Sequence, residues 1–209
     1  MSKKFIAVLL ILSGCLISQN NRPIVSSPEQ ALQKFVQGND AYIKSRKNNA
    51  DISLNLRENT ANMGQKPYAV IVTCSDSRVP PEHIFLAGIG DLFVIRTAGN
   101  VIDNIALGSI EYGVRHLGEK LVVIMGHSHC GAVSAAVEGH AEGYITYIID
   151  AIKPGIDGAA SITDAERLNI ANSYKDVMES AIVRDLMESN EIDVVQAKYE
   201  IETGKVTFY

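Results

Sequence analysis

The chain has 209 residues, 46% of them hydrophobic and 21% charged, with a net charge of -5. That balance belongs to a globular protein, and about one domain is expected at this length once the N-terminus is set aside. No block of basic residues stands out, so nucleic acid is not an expected partner.

The first segment, "MSKKFIAVLLILSGC", has two lysines, an apolar run from Phe5 to Leu12 and then small residues. This is the layout of a secretory signal, too short to span a bilayer as a mature helix. Leu12-Ser13-Gly14-Cys15 resembles the lipobox of bacterial lipoproteins. The resemblance implies removal of residues 1–14, lipid on Cys15 and a lipid-anchored protein on the periplasmic side of a bacterial cell envelope. A plain signal peptide or an uncleaved anchor is the other reading. Residues 15–27, mostly polar, then serve as a tether, and 28–209 form a single domain.

Ser27-Pro28-Glu29-Gln30 opens a helix. Ser27 is a capping residue, proline suits the first helical position, and Gln30 completes a capping-box pattern. Leu32, Phe35 and Val36 give an apolar face, and Gly38-Asn39-Asp40 reads as an interruption. Lys44 to Lys66 is polar, helical or irregular. "PYAVIVTC" is a continuous apolar run rich in β-branched residues and reads as a buried parallel strand. "DLFVIRTAGN" holds a second strand, Leu92 to Ile95, and Ile105 to Leu117 has the periodicity and length of a crossover helix. Leu121 to Met125 is a third strand, followed by a turn at Gly126 and a helix from about Gly131. "IKPGIDGAAS" reads as a loop, and the next helix spans about Asp164 to Met187. Val194 to Ile201 and Lys205 to Tyr209 form a hairpin around Glu202-Thr203-Gly204. The alternation predicts an α/β fold. A mostly parallel central sheet is flanked by helices, with an N-terminal helical arm and a C-terminal β-hairpin.

Ligands in such sheets sit beyond the carboxyl ends of strands. Cys74 lies at one such end, and His127 and Cys130 lie just beyond another. One H-x-x-C pair is weak by itself, but a second strand-end cysteine makes a Cys2His set. Zinc takes thiolate sulfur and imidazole nitrogen, and three protein ligands leave the open position of a catalytic site. His129 is a candidate fourth ligand, which would close the site. Its position beside Cys130 argues for divergence instead, as a surface or supporting histidine. His83, His116 and His140 have no partner at ligand spacing. With Cys15 acylated, Cys74 and Cys130 are also candidates for a disulfide.

Asp76 and Arg78 lie two residues apart, so in an extended segment they share a face with Cys74. A salt bridge between them would keep the carboxylate ionised and oriented, ready to position a zinc-bound hydroxide for attack. Taken alone, these residues read better as an ordinary turn with a solvated arginine, and it is the spacing to Cys74 that favours the dyad.

Together the motifs resemble those of the β-class carbonic anhydrases. C-x-D-x-R stands here as Cys74-Ser75-Asp76-Ser77-Arg78, and H-x-x-C as His127-Ser128-His129-Cys130. The resemblance extends through "GQKP", "PPEHIF", "GDLFVIRTAGN", "GSIEYGVRHLG" and "GHSHCGAV", and returns at "KYEIETGKV". It implies one zinc ion per chain on Cys74, His127 and Cys130, with Asp76 and Arg78 as the catalytic dyad. The implied reaction is the reversible hydration of carbon dioxide to bicarbonate and a proton. The resemblance further implies that Gln65, Phe93, Ala98 and Tyr112 line the substrate pocket, partly from a neighbouring subunit. Gly131 falls where a backbone N–H faces substrate, and a homodimer or higher assembly is expected. In some members the equivalent of Asp76 ligates zinc and the arginine swings away. Two other functions are alternatives: a hydrolase of a sulfur analogue of carbon dioxide, with identical motifs, and a non-enzymatic lipid-anchored protein with structural zinc or a disulfide, which leaves Asp76, Arg78 and Gln65 without a role.

Overall fold

The computed structural model describes residues 24–45 and 47–209. The expected leader, Cys15 and most of the tether lie outside the described residues. Five strands form one sheet: β1 (Ala69–Cys74), β2 (Leu92–Thr97), β3 (Leu121–His127), β4 (Asp193–Glu200) and β5 (Lys205–Phe208), in the order β2-β1-β3-β4-β5. All neighbours run parallel except β4 and β5, which close the antiparallel hairpin.

The central strands explain the core. Every residue of β1 and β3 is buried, as an uninterrupted apolar run demands when helices cover both faces. Successive side chains point to opposite faces. Ile71, Val123 and Met125 therefore pack with Phe35 and Phe85 on one side. Val70, Val72, Val122 and Ile124 pack with Ile110, Ile170 and Val183 on the other. In chain order the helices are α1 (Pro28–Lys44), α2 (Leu54–Met63), α3 (Pro81–Ile84) and α4 (Asn104–Tyr112). After these come α5 (Gly131–Glu138), α6 (Ile145–Ile156), α7 (Ile162–Val177) and α8 (Ala181–Glu188).

Several expectations need correcting, among them the turn at Gly126, which lies inside β3. Helix α1 runs through Gly38-Asn39-Asp40 instead of breaking there. A Cβ on Gly38 would lie 2.1 Å from the Phe85 carbonyl oxygen, so glycine lets the helix approach that backbone. Asn39 is buried and clips the hairpin, donating to the Gly204 carbonyl at 2.8 Å and accepting from the Val206 N–H at 2.8 Å. The expected helix over 105–117 is α only to Tyr112, and Gly113–Leu117 form a π turn. The stretch 152–161 is not all loop, because α6 continues through Pro154 to Ile156. The expected 164–187 helix is two helices. Ser180 breaks it by capping α8, accepting from the Val183 N–H at 3.1 Å while donating to Glu111 at 2.6 Å. The Ser27 cap of α1 holds, but Gln30 turns back to the Ser26 N–H at 2.9 Å rather than to that of Ser27.

Candidate metal centre

Strand register brings the two motifs together. β1 and β3 pair in parallel up to Thr73↔Met125, and their last residues are Cys74 and His127. Two ligands from separate motifs thus leave the sheet at the same edge. A tight turn with His129 at a φ of 56° then delivers Cys130 to the N-terminus of α5. One ligand atom each from Cys74, His127 and Cys130 lies within 4.8 Å of the others. All three residues are buried, and both cysteines are free thiols rather than a disulfide.

The donor set fits a metal. The Ser128 carbonyl accepts a hydrogen bond from His127 Nδ1 at 2.8 Å. A carbonyl can only accept, so Nδ1 carries the ring proton and Nε2 presents its lone pair. Nε2 is fully buried and has no hydrogen-bond partner. Such an orphaned acceptor aimed at two thiols is the signature of a ligand nitrogen. Cys74 Sγ receives the backbone N–H groups of Asp76 at 3.4 Å and Gly99 at 3.3 Å. The neighbouring Cys130 thiol, with those two N–H groups, holds the Cys74 thiol well below its ordinary value against the cost of burial. The same Cys74 contact, with burial, pushes Cys130 up. Around the cysteines an apolar shell of Val133, Ala136, Ile149, Ile152 and Ile156 keeps bulk water away.

Asp76 stands beside this trio without joining it. Arg78 grips its carboxylate through Nε at 3.0 Å and Nη2 at 2.7 Å, and the Arg78 backbone N–H adds a third bond at 2.9 Å. Those bonds hold Asp76 down at about 2, well below the usual carboxylate range. Its Oδ2 lies 3.9 Å from His127 Nε2, so the acid borders the space where the three ligands converge. Arg78 also donates to the His129 carbonyl at 3.1 Å, tying the two motifs together. In this structure, then, Asp76 is held on arginine and off the ligand set. The His129 side chain diverges, as its position beside Cys130 argued, and pairs with Glu202.

The residues assigned to the substrate pocket are placed less closely. Gly131 directly follows the ligand Cys130, and Ala98 precedes Gly99, whose N–H reaches Cys74 Sγ. Gln65 is exposed in the loop before β1. Phe93 and Tyr112 lie 6.0 Å apart between ring centroids, their planes tilted by 34°. Phe93 packs with the cluster under α4, not with the shell around the cysteines. Of the other histidines, His83 meets Asn48, His140 lies 3.1 Å from Glu138, and His116 packs at 5.3 Å on the Tyr112 ring. Sequence reasoning gave no role to Arg96, which bonds the carbonyls of Cys74 and Asp76. An arginine inside the apolar strand "LFVIRT" was the available signal.

Fold and donor set define a single-metal site at the carboxyl edge of a parallel α/β sheet. The chain belongs to the carbonic anhydrase family, whose model matches residues 69–206. It is 34% identical over 191 residues to Carbonic anhydrase 2 of Mycobacterium tuberculosis, covering 86% of this chain and 92% of that protein. The β-carbonic anhydrase CafA of the fungal pathogen Aspergillus fumigatus aligns with a TM-score of 0.66 and 29% identity, over 72% of this chain and 78% of that one. One of two tetrameric β-carbonic anhydrases from Sordaria macrospora aligns with a TM-score of 0.64 and 26% identity, over 70% of this chain and 82% of that one.

Proposed function

We propose that this protein catalyses the reversible hydration of carbon dioxide to bicarbonate and a proton, with one zinc ion held by Cys74, His127 and Cys130. The observation that carries the proposal is the pairing of a buried, unpartnered His127 Nε2 with an arginine-held Asp76 at 3.9 Å. A zinc ion bound there supplies the Lewis acidity that makes water nucleophilic near neutral pH. Asp76 then accepts a hydrogen bond from the attacking water and aims its lone pair at the carbon. A new C–O bond forms, one C=O electron pair moves onto oxygen, and the water's extra proton leaves to solvent. Arg78 keeps Asp76 ionised, so its oxygens remain acceptors through the cycle. Phe93, Ala98 and Tyr112 offer apolar surface suited to a small linear gas, while Gln65 and the Gly131 N–H are donors for the bicarbonate product.

The tetrameric relatives support a homodimer or higher assembly here, and the exposed Tyr112 beside Phe93 supports pockets completed across subunits. Lys3, Lys4, the apolar run and Cys15 support a lipid-anchored periplasmic protein. Stopped-flow carbon dioxide hydration before and after chelation tests the activity. The proposal expects turnover that chelation abolishes, and an inactive metal-loaded protein rejects it. Cys15→Ser is expected to move the protein from the membrane to the soluble fraction, and retention on membranes rejects the anchor.

A further inference from the structure

β1 ends in a place where its neighbours stop supporting it. Its ladder with β2 closes at Cys74↔Thr97, and the Ser75 N–H reaches the Thr97 carbonyl at 3.0 Å. Asp76 comes next and already faces the ligand cluster. One side chain spans this gap. Arg96 Nε donates to the Cys74 carbonyl at 3.0 Å, and its Nη2 donates to the Asp76 carbonyl at 2.6 Å. The Asp76 carbonyl also closes the following turn by accepting from the Val79 N–H at 3.0 Å. Arg96 therefore holds the main chain on both sides of Ser75, while Arg78 holds the Asp76 side chain and the His129 carbonyl.

The geometry of a guanidinium makes this specific. Its donors form a rigid planar fork, so the two carbonyls it binds are fixed relative to each other as well as to β2. Side chains two residues apart in an extended segment share a face. Fixing the two carbonyls therefore fixes the separation of Cys74 Sγ and the Asp76 carboxylate. A lysine, with one compact ammonium on a flexible stem, supplies charge but no such spacing.

We infer that Arg96 is a positioning residue that sets the distance between the thiolate ligand Cys74 and the acid Asp76 by clamping both of their main-chain carbonyls from β2. It touches neither reacting side chain and acts through the backbone. The catalytic consequence rests on the proposed hydration reaction, whereas the geometric one does not. Supporting contacts to metal ligands typically change affinity or activity by roughly 10–100-fold when removed.

The test compares wild type, Arg96→Lys and Arg96→Gln, each loaded with zinc for kinetics and with cobalt for absorption spectroscopy of the thiolate site. Both variants are expected to bind one metal per chain. Hydration kcat per bound zinc is expected to fall roughly 10–100-fold in both, with KM little changed. Their cobalt spectra are expected to shift, with lysine giving no rescue. Wild-type kcat per zinc together with an unaltered cobalt spectrum would overturn the inference, even if melting temperature drops. Full rescue by Arg96→Lys also overturns it, because charge without the fork would then suffice. If the wild-type protein proves inactive towards carbon dioxide, the hydration reading fails alone. The cobalt spectra still decide the clamp: shifted in both variants it stands, unchanged it falls.

Discussion

Asp76 follows β1 by two residues, and Glu119 precedes β3 by two, so the central strands carry an acid at each end. Asp76 keeps 17% of its side chain exposed and receives three hydrogen bonds from Arg78. Glu119 is 1% exposed, and neither of its carboxylate oxygens has a partner. It occupies a notch beside Val70 that exists because residue 113 is glycine; a Cβ there would lie 2.2 Å from Glu119 Oε2. The chemistry follows the setting. Donors hold Asp76 at about 2, and burial alone pushes Glu119 up to about 8. An acid given donors and partial water stays charged and can accept a hydrogen bond from substrate water. An acid sealed away without them stays protonated and serves as filling. Two carboxyl groups on one sheet thus divide into a charged acid and a neutral one by environment.

The largest effect is expected at Asp76. Asp76→Asn keeps the shape but halves the acceptors and removes the charge that Arg78 grips. Zinc content is expected to stay at one per chain while kcat falls roughly 100-fold or more, measured by stopped flow. Undiminished turnover per zinc removes Asp76 from the mechanism. The smaller effect is at Glu119 and is read in stability. Its carboxyl is protonated in the folded chain up to about 8, against an ordinary value of 4.5. Between those values the folded state binds the extra proton, so stability is full at low pH and is lost as pH rises through the window. Urea unfolding of the wild type at about pH 5 and about pH 9 is expected to show a loss of a few kcal/mol. Glu119→Gln is expected to lack that slope, and an identical slope in the variant shows that Glu119 is not the titrating group.

The metal site was legible because its logic is local. Cys74, Asp76 and Arg78 sit within five residues, His127 and Cys130 within four, and the strand pattern places both groups at one edge. The parallel sheet was legible for the same reason, since "AVIV" and "LVVIM" are apolar without interruption. What escaped depends on distant partners. Helix α6 carries Ile149, Ile152 and Ile156 on a buried face, yet Pro154 and Gly155 outweigh that period when the chain is read alone. Gly155 belongs there because a Cβ would lie 2.4 Å from the Asn172 side chain of α7. Asn39 looks like a helix breaker until the hairpin that it clips is in place. Arg96 and Glu119 each take their meaning from the backbone beside them: two carbonyls for one, a missing Cβ for the other.

Zinc titration into the chelated protein tests the central claim most directly, with turnover followed at each addition. Carbon dioxide hydration is expected to be absent at the start, to rise in proportion to zinc and to stop rising at one equivalent per chain. Hydration that survives complete chelation, or zinc that binds at one per chain without producing turnover, contradicts the assignment of Cys74, His127 and Cys130 to a catalytic centre.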